Sequence, residues 1–341
     1  MKVSFLVTYY NQEQYVRQSL DSILAIEKPC DWEILVGDDG STDGTLNIVR
    51  QYMEAFPGRI FLHQMPREPG KKYNSVERAS ANRLNLVERA AGDFFCTLDG
   101  DDWYCDTGFL SDALAVFSEN QGVGAVGFGY QRVTDGIAGE PHTLPEGMDH
   151  SLVDKEEYLN RYYLHAGACV HRRSWGQERM AWLKGIGFFD DNDILINSLN
   201  FGELYAINRV IYSYRQTGES VYNSMSMVEQ AVLNVQGLDA DLKLMDRQHR
   251  DALLRRNEVQ ILILYIWKGR LKAILGQEKF QQYSEGCARI PGSMAYTMLN
   301  YRAAPRKERA AVRKVVFPIM GRHPRIALSM YRKYVFNKIG K

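Results

Sequence analysis

The first hundred residues alternate short apolar runs with amphipathic stretches, and that alternation restricts the fold more than any other feature of the chain. KVSFLVT (2–8) reads as a strand, and QEQYVRQSLDSIL then sets Val16, Leu20, Ile23 and Leu24 at helical spacing. EILVG (33–37) is a second strand, followed by TLNIVRQYM with Leu46, Val49 and Met53 on one face. RIFLH (59–63) is a third strand. SANRLNLVERAAG aligns Leu84, Val87 and Ala91 on a helix and offers Gly92 as its stop. DFFCTLD is a fourth strand. Strands alternating with helices of this length predict a parallel sheet with helices on both faces.

The pattern then loosens. A helix near 109–118 precedes the glycine-rich strand VGAVGFGY, and a Gly-, Pro- and His-containing loop is expected over 134–150. GACVHRRSW and ELYAINRVIYSYR read as further strands, with the acidic FFDDND and a short helix between them. Beyond 225 strand signals stop. The stretch 226–275 is almost continuously helical in pattern, and shorter helices broken at Pro291, Pro305, Pro318 and Pro324 follow. The expected plan is therefore an α/β domain over 1–224 and an all-α C-terminal region over 225–341.

Charge and cysteine usage narrow the setting. The 341 residues carry a formal net charge of +1, which excludes a polyanion-binding molecule as a whole. The five cysteines show no CxxC spacing, which argues against a zinc site and a disulfide framework and fits a reducing compartment. The N-terminus lacks signal-peptide anatomy, and the longest apolar run, ILILYIW, is far short of the roughly 20 residues that cross a bilayer. A cytoplasmic protein is expected. Charge is nonetheless uneven: residues 301–341 hold twelve Lys or Arg against one acid, Glu308, leaving the remainder near −10. There cationic and bulky apolar residues interleave, as in interfacial helices. Two readings stand: docking of 301–341 on an anionic membrane surface, or packing of the tail on the acidic remainder or on a second subunit in a homodimer. No nucleic-acid-binding module accompanies the charge.

Ligands of doubly wound sheets bind beyond the carboxyl ends of the strands. Three polar clusters fall at such ends: Thr8 to Asn11, DDGSTDGT (38–45), and DGDD (99–102). The last packs three carboxylates into four residues, which repel unless protonated or shared with a cation. Hard divalent ions take oxygen ligands, often one or two protein carboxylates with substrate phosphates, so Asp-x-Asp here suggests a metal–diphosphate site. The competing reading is helix capping, in which Asp102 and Asp106 serve the helix beginning near 107.

Three segments in order, VTYYNQEQYVRQSLDSIL, ILVGDDGSTDGT and ERAAGDFFCTLDGDDWY, resemble the successive blocks of family 2 glycosyltransferases. The resemblance covers residues 1 to about 220. It implies the GT-A fold, a Rossmann-like mostly parallel sheet, with a nucleotide-sugar half at 1–105 and an acceptor half at 106–224. It also implies an inverting enzyme of hexosyl- or N-acetylhexosaminyl-transferase type in polysaccharide biosynthesis. The donor would be a nucleotide-diphosphate sugar, with UDP as the nucleotide, and the cation Mn²⁺ or Mg²⁺. The acceptor would be a hydroxyl of a saccharide or lipid-linked saccharide, which sets the tail on the inner face of the plasma membrane if it docks there.

By the same resemblance, Thr8, Tyr10 and Asn11 line the nucleotide, Asp39 reads the base, Asp99 and Gly100 lie beside the ribose, and Asp101 binds the metal. Where the family has Arg-Asn before the metal strand this chain has Ala81-Asn82, so Asn82 is expected to keep a donor contact and Arg78 to supply the charge. The acceptor hydroxyl needs a base. The family's acidic motif matches Asn192-Asp193, making Asp193 the expected base and Asp191 the second choice, with Asp190 a helix cap. YRQTGES (214–220) keeps Tyr214, Arg215 and Ser220 where the family tends to have a His, with Gln216 and Thr217 nearby. Arg215 would meet phosphate or a surface carboxylate. His165 and His171, at even spacing on one expected strand, would share a face and either meet an acceptor or serve structurally. Two other readings compete. A sugar-nucleotide pyrophosphorylase would want a Gly- and Lys-bearing loop, which TYYNQEQY lacks. A nucleotide-binding scaffold would keep the pocket without turnover.

Overall fold

The computed structural model describes residues 1–68, 70–216 and 225–330. Residues 1–184 and 189–216 make one compact unit; 185–188 and 225–330 belong to another.

In the first unit the strands β1 (Lys2–Tyr9), β2 (Asp31–Asp38), β3 (Ile60–Gln64) and β4 (Phe94–Asp99) lie in the order β3-β2-β1-β4, all parallel. The helices α1 (Glu13–Ala25), α2 (Thr45–Ala55) and α3 (Ser75–Arg89) connect them. Successive residues of β1 point to opposite faces. Phe5 and Val7 join a buried cluster with Val16, Leu20 and Ile23 of α1 and Val49 of α2. Leu6 and Thr8 face the other way, toward Leu86 and Val87 of α3. Helices therefore cover both faces, as the alternation predicts. Register brings the strand ends level: Thr8 pairs with Gly37 on one side and Asp99 on the other.

The rest of this unit is mixed. It comprises β5 (Trp103–Tyr104), α4 (Phe109–Glu119), β6 (Val123–Thr134), β7 (Ile137–His142), β8 (Ser151–Val153), α5 (Lys155–Arg161), β9 (Cys169–Arg172), α6 (Gln177–Ile186), which runs on to the unit boundary, α7 (Asp191–Leu199) and β10 (Glu203–Arg215). β9 is antiparallel to both β4 and β6, β10 is parallel to β6, and β5 runs antiparallel on β10. The sheet is thus parallel through its first half and mixed beyond. The expected loop over 134–150 is instead a hairpin arm: Asp135 (φ 51°) and Gly136 (φ 78°) turn the chain so that β7 pairs with β6. Two consecutive positive φ values are what a tight hairpin turn requires, and Asp-Gly supplies them.

The described part of the second unit is helical: α8 (Met227–Leu244), α9 (Arg250–Arg256), α10 (Glu258–Trp267), α11 (Leu271–Ala288), α12 (Met294–Leu299) and α13 (Arg306–Arg322). Pro305 caps α13, but Pro318 does not break a helix; it sits inside α13. Buried Glu258 accepts from Arg322 and His323, so part of the basic tail is neutralised within its own unit. Arg306, Lys307 and Lys314 of α13 remain exposed. Residues 331–341 lie outside the described residues.

Candidate active site

A small, partly open cavity lies at the level strand ends on the α3 face of the sheet. Thr8, Arg83, Thr97, Asp99, His165, Asp191 and Tyr212 supply its polar lining. Asp99 ends β4. It accepts from the Thr8 hydroxyl at 3.2 Å, and Arg83 Nη2 spans both its oxygens at 3.1 and 3.2 Å. Burial pushes the Asp99 carboxyl up, but the charge of Arg83 and the hydrogen bonds of Arg83 and Thr8 outweigh it and hold it below the usual range. Arg83 is a residue the motif reading missed. Its signal was helical: it follows Ser80 on the inward stripe of α3 beside buried Leu84 and Val87, and a cation on such a stripe needs an anion opposite.

The three clustered carboxylates have three different fates. Asp101 is pushed up to about 6 by burial and by the charge of Asp99. Asp102 is buried, accepts from the Tyr212 hydroxyl at 2.6 Å and the Arg215 N–H at 2.7 Å, and is raised further by burial and both acidic neighbours. It therefore clamps the end of β10 and does not cap α4. That capping falls to Asp106, whose Oδ1 accepts from Gly108 and Phe109 N–H at 2.9 and 2.8 Å. Gly100 allows the turn to close, because a Cβ there would overlap the Tyr9 ring.

Several expected donor contacts are already engaged within the protein. Asp39 is bound by Arg67 Nη2 at 2.5 Å and by Arg78, and the Arg67 guanidinium lies 4.1 Å over the Tyr10 ring. Arg78 thus serves Asp39, and the charge expected near the metal strand comes from Arg83. Asn82 is buried and donates to the Gly37 carbonyl at 3.0 Å, so it fastens α3 to β2 and does not line the pocket. Asn11 (φ 50°) accepts from Thr42 N–H at 2.8 Å and ties the first two strand ends together. Arg215 donates to the Asp101 carbonyl at 2.7 Å and to Gln18 at 2.5 Å, stacked between Tyr15 and Trp103. Thr217 and Ser220 lie outside the described residues.

On the acceptor side Asp190 and Asp193 close a reciprocal capping box at the start of α7, with N···O distances of 2.8 and 3.0 Å. Asp193 is buried in that box, whereas Asp191 lines the cavity. The phase of α7 thus turns Asp191 toward the cavity and Asp193 into the helix cap. The two histidines do not share a strand face, because β9 begins only at Cys169. His165 precedes a 3₁₀ turn at Ala166–Ala168 and faces the cavity. His171 is fully buried, bonded to Ser198 Oγ at 3.0 Å and to the Ala166 carbonyl at 3.1 Å.

Residues 4–179, just over half of the chain, match the model of glycosyl transferase family 2. The chain belongs to glycosyltransferase family 2. Among curated relatives, EpsE of Bacillus subtilis (strain 168), named for glycosyltransferase activity, is 39% identical over 101 residues, covering 30% of this chain and 33% of that protein. The poly(ribitol-phosphate) beta-N-acetylglucosaminyltransferase TarS of Staphylococcus aureus (strain Mu50 / ATCC 700699) is 33% identical over 122 residues, 35% of this chain and 19% of TarS. The match therefore spans a third or less of the relatives' length. The crystal structure of S. aureus TarS 1–349 with UDP-GlcNAc has a TM-score of 0.56 at 18% identity, over 95% of this chain and 92% of that one. That likeness establishes the shared family fold, including the helical C-terminal region.

Proposed function

We propose that this chain transfers a sugar, with inversion, from a uridine-diphosphate sugar to a hydroxyl of a saccharide or lipid-linked saccharide during polysaccharide assembly. The observation that carries the reading is one cavity holding the Thr8–Asp99–Arg83 group and the Asp191 carboxylate together. The first suits a donor's ribose and diphosphate. The second suits a base that takes the acceptor's proton as the hydroxyl attacks. Asp191 takes that role over Asp193, whose carboxylate is committed to the helix cap. Tyr10, Asp39 and Arg67 form the polar and aromatic surface on which the nucleotide base would rest. The UDP complexes of TarS support uridine as that base.

The residues fit a divalent cation. Asp99 is engaged by Arg83 and Asp102 by Tyr212, which leaves Asp101 to meet one. Among the described residues no three His, Cys, Asp or Glu converge on a metal position, so Mn²⁺ or Mg²⁺ would complete its shell from water and the diphosphate. When bound, such a cation neutralises charge on the departing diphosphate. No described helix is long and apolar enough to cross a membrane. The exposed Arg306, Lys307, Lys314 and Phe317 of α13 support docking on the anionic cytoplasmic leaflet, where lipid-linked acceptors reside.

The test is calorimetric titration of UDP with Mn²⁺, with Mg²⁺ and with chelator, on wild type and Asp101→Ala. Cation-dependent binding that the substitution abolishes is expected. Binding indifferent to both cation and substitution would overturn the assignment.

A further inference from the structure

We propose that His165 is a positioning residue, a neutral N–H donor that holds the Asp191 carboxylate at the angle from which it accepts the acceptor's proton. This rests on the reading of Asp191 as the base. The imidazole is fixed on all sides. Its Nδ1 accepts from the Gly167 N–H at 3.1 Å, so the ring proton resides on Nε2. Nε2 in turn lies 3.5 Å from Asp191 Oδ2, just beyond an ordinary hydrogen bond and near enough to become one when substrate tightens the site. A second proton could enter only at Nδ1, where it would confront the Gly167 N–H, another donor. The ring therefore presents only an N–H on the Asp191 side and cannot take over as the base itself.

Aromatic packing supplies the second constraint. The His165 ring stacks on Tyr212 with centroids 4.7 Å apart and planes 25° apart, and Tyr214 and Tyr130 flank it at 5.3 and 5.8 Å. Tyr212 is itself anchored by its 2.6 Å bond to Asp102. Gly167 is required for this stack, since a Cβ there would run into the Tyr212 ring. The clamp at the acidic turn thus fixes Tyr212, Tyr212 fixes His165, and His165 fixes Asp191. Burial, the largest influence on this ring, pushes His165 below its ordinary value, in the direction that keeps it neutral.

Two measurements test this. The first needs no substrate: ¹⁵N NMR of histidine-labelled protein, with His165 assigned by comparison with His165→Gln. A single neutral Nε2–H form is expected between pH 6 and 8. An Nδ1–H tautomer or an imidazolium overturns the proposal. The second follows UDP release from UDP-N-acetylglucosamine and other UDP-sugars with Mn²⁺. His165→Ala should lower kcat by about tenfold to a hundredfold, as slight misplacement of a reacting group does. UDP affinity should stay unchanged, and His165→Gln, which retains a donor, should recover part of the loss. Equal loss in both variants, or a loss confined to UDP affinity, refutes positioning. Asp191→Asn separates the two claims: if it leaves turnover intact, the base assignment fails; if it abolishes turnover while His165→Ala does not lower it, only the role of His165 fails.

Discussion

His171 gives the sharpest stability prediction. Its ring is fully buried, lies 5.0 Å from the Phe95 ring in a stacked arrangement, and joins α7 to the turn that carries His165 through Ser198 and the Ala166 carbonyl. Burial pushes its pKa down to about 4, against an unfolded value of about 6.5. The unfolded chain therefore binds this proton first. The contribution is fully present above pH 6.5 and is lost as pH falls toward 4. At about 1.4 kcal/mol per unit, the gap is worth about 3 kcal/mol at its limit, and about 2 kcal/mol of it is lost between pH 6.5 and 5.

The perturbation is His171→Gln, which keeps a donor and an acceptor but does not titrate. At pH 7 it should cost about 1–3 kcal/mol in lost stacking and packing. Between pH 6.5 and 5 that deficit should close by about 2 kcal/mol, because the wild type alone loses the histidine's contribution. Urea denaturation followed by tryptophan fluorescence suits the purpose, since Trp175 lies edge-on to Phe95 at 5.7 Å. With two units, the transition reported by this region is the one to fit. His165 titrates equally in both proteins and cancels in the difference. Parallel stability curves for wild type and variant would refute the reasoning.

Two further outcomes follow from the same geometry. Gly37→Ala should cost about 1–3 kcal/mol, because its Cβ would stand 3.0 Å from Asn82 Cγ and overlap Oδ1 in a packed layer; Asn82→Ala in the same chain should relieve that part of the loss. Thermal denaturation reads both, and a neutral Gly37→Ala would contradict the close approach. Reversing Arg306, Lys307 and Lys314 to Glu should weaken co-sedimentation with phosphatidylglycerol vesicles by at least a hundredfold, at about 1 kcal/mol per cation, while UDP affinity stays unchanged. Wild-type protein that ignores anionic vesicles at low salt would refute docking.

What the sequence made legible follows from how far each signal travels along the chain. The parallel half of the sheet, covered by helices on both faces, was readable because each strand and helix carries its own period, whereas the order β3-β2-β1-β4 came with the structure. Two-fold and 3.6-fold repeats are local properties, and crossover helices force the rest. The second half was harder because β9 is four residues inserted antiparallel between β4 and β6, too short to show a period. The hairpin at 134–142 announced itself only through Asp135-Gly136, since five of the six β7 residues are exposed and no apolar face marks the strand.

The site divides along the same line. A motif can say that Asp99, Asp101 and Asp102 stand together, but their chemistry differs because their partners come from about 16, 110 and more residues away in sequence, Arg83 for one and Tyr212 for another. Charge sharing of this kind is set by tertiary register, through pairings such as Thr8 with Asp99 and Tyr104 with Tyr212. The exchange between Asp191 and Asp193 is subtler still. Two residues on a helix are about 200° apart, so whichever acid fills the N3 position of the capping box turns the other outward. The phase of α7, fixed by the Asp190 cap, therefore selects which carboxylate faces the cavity, and a one-residue shift of that cap would move the carboxylate we assign as base out of it.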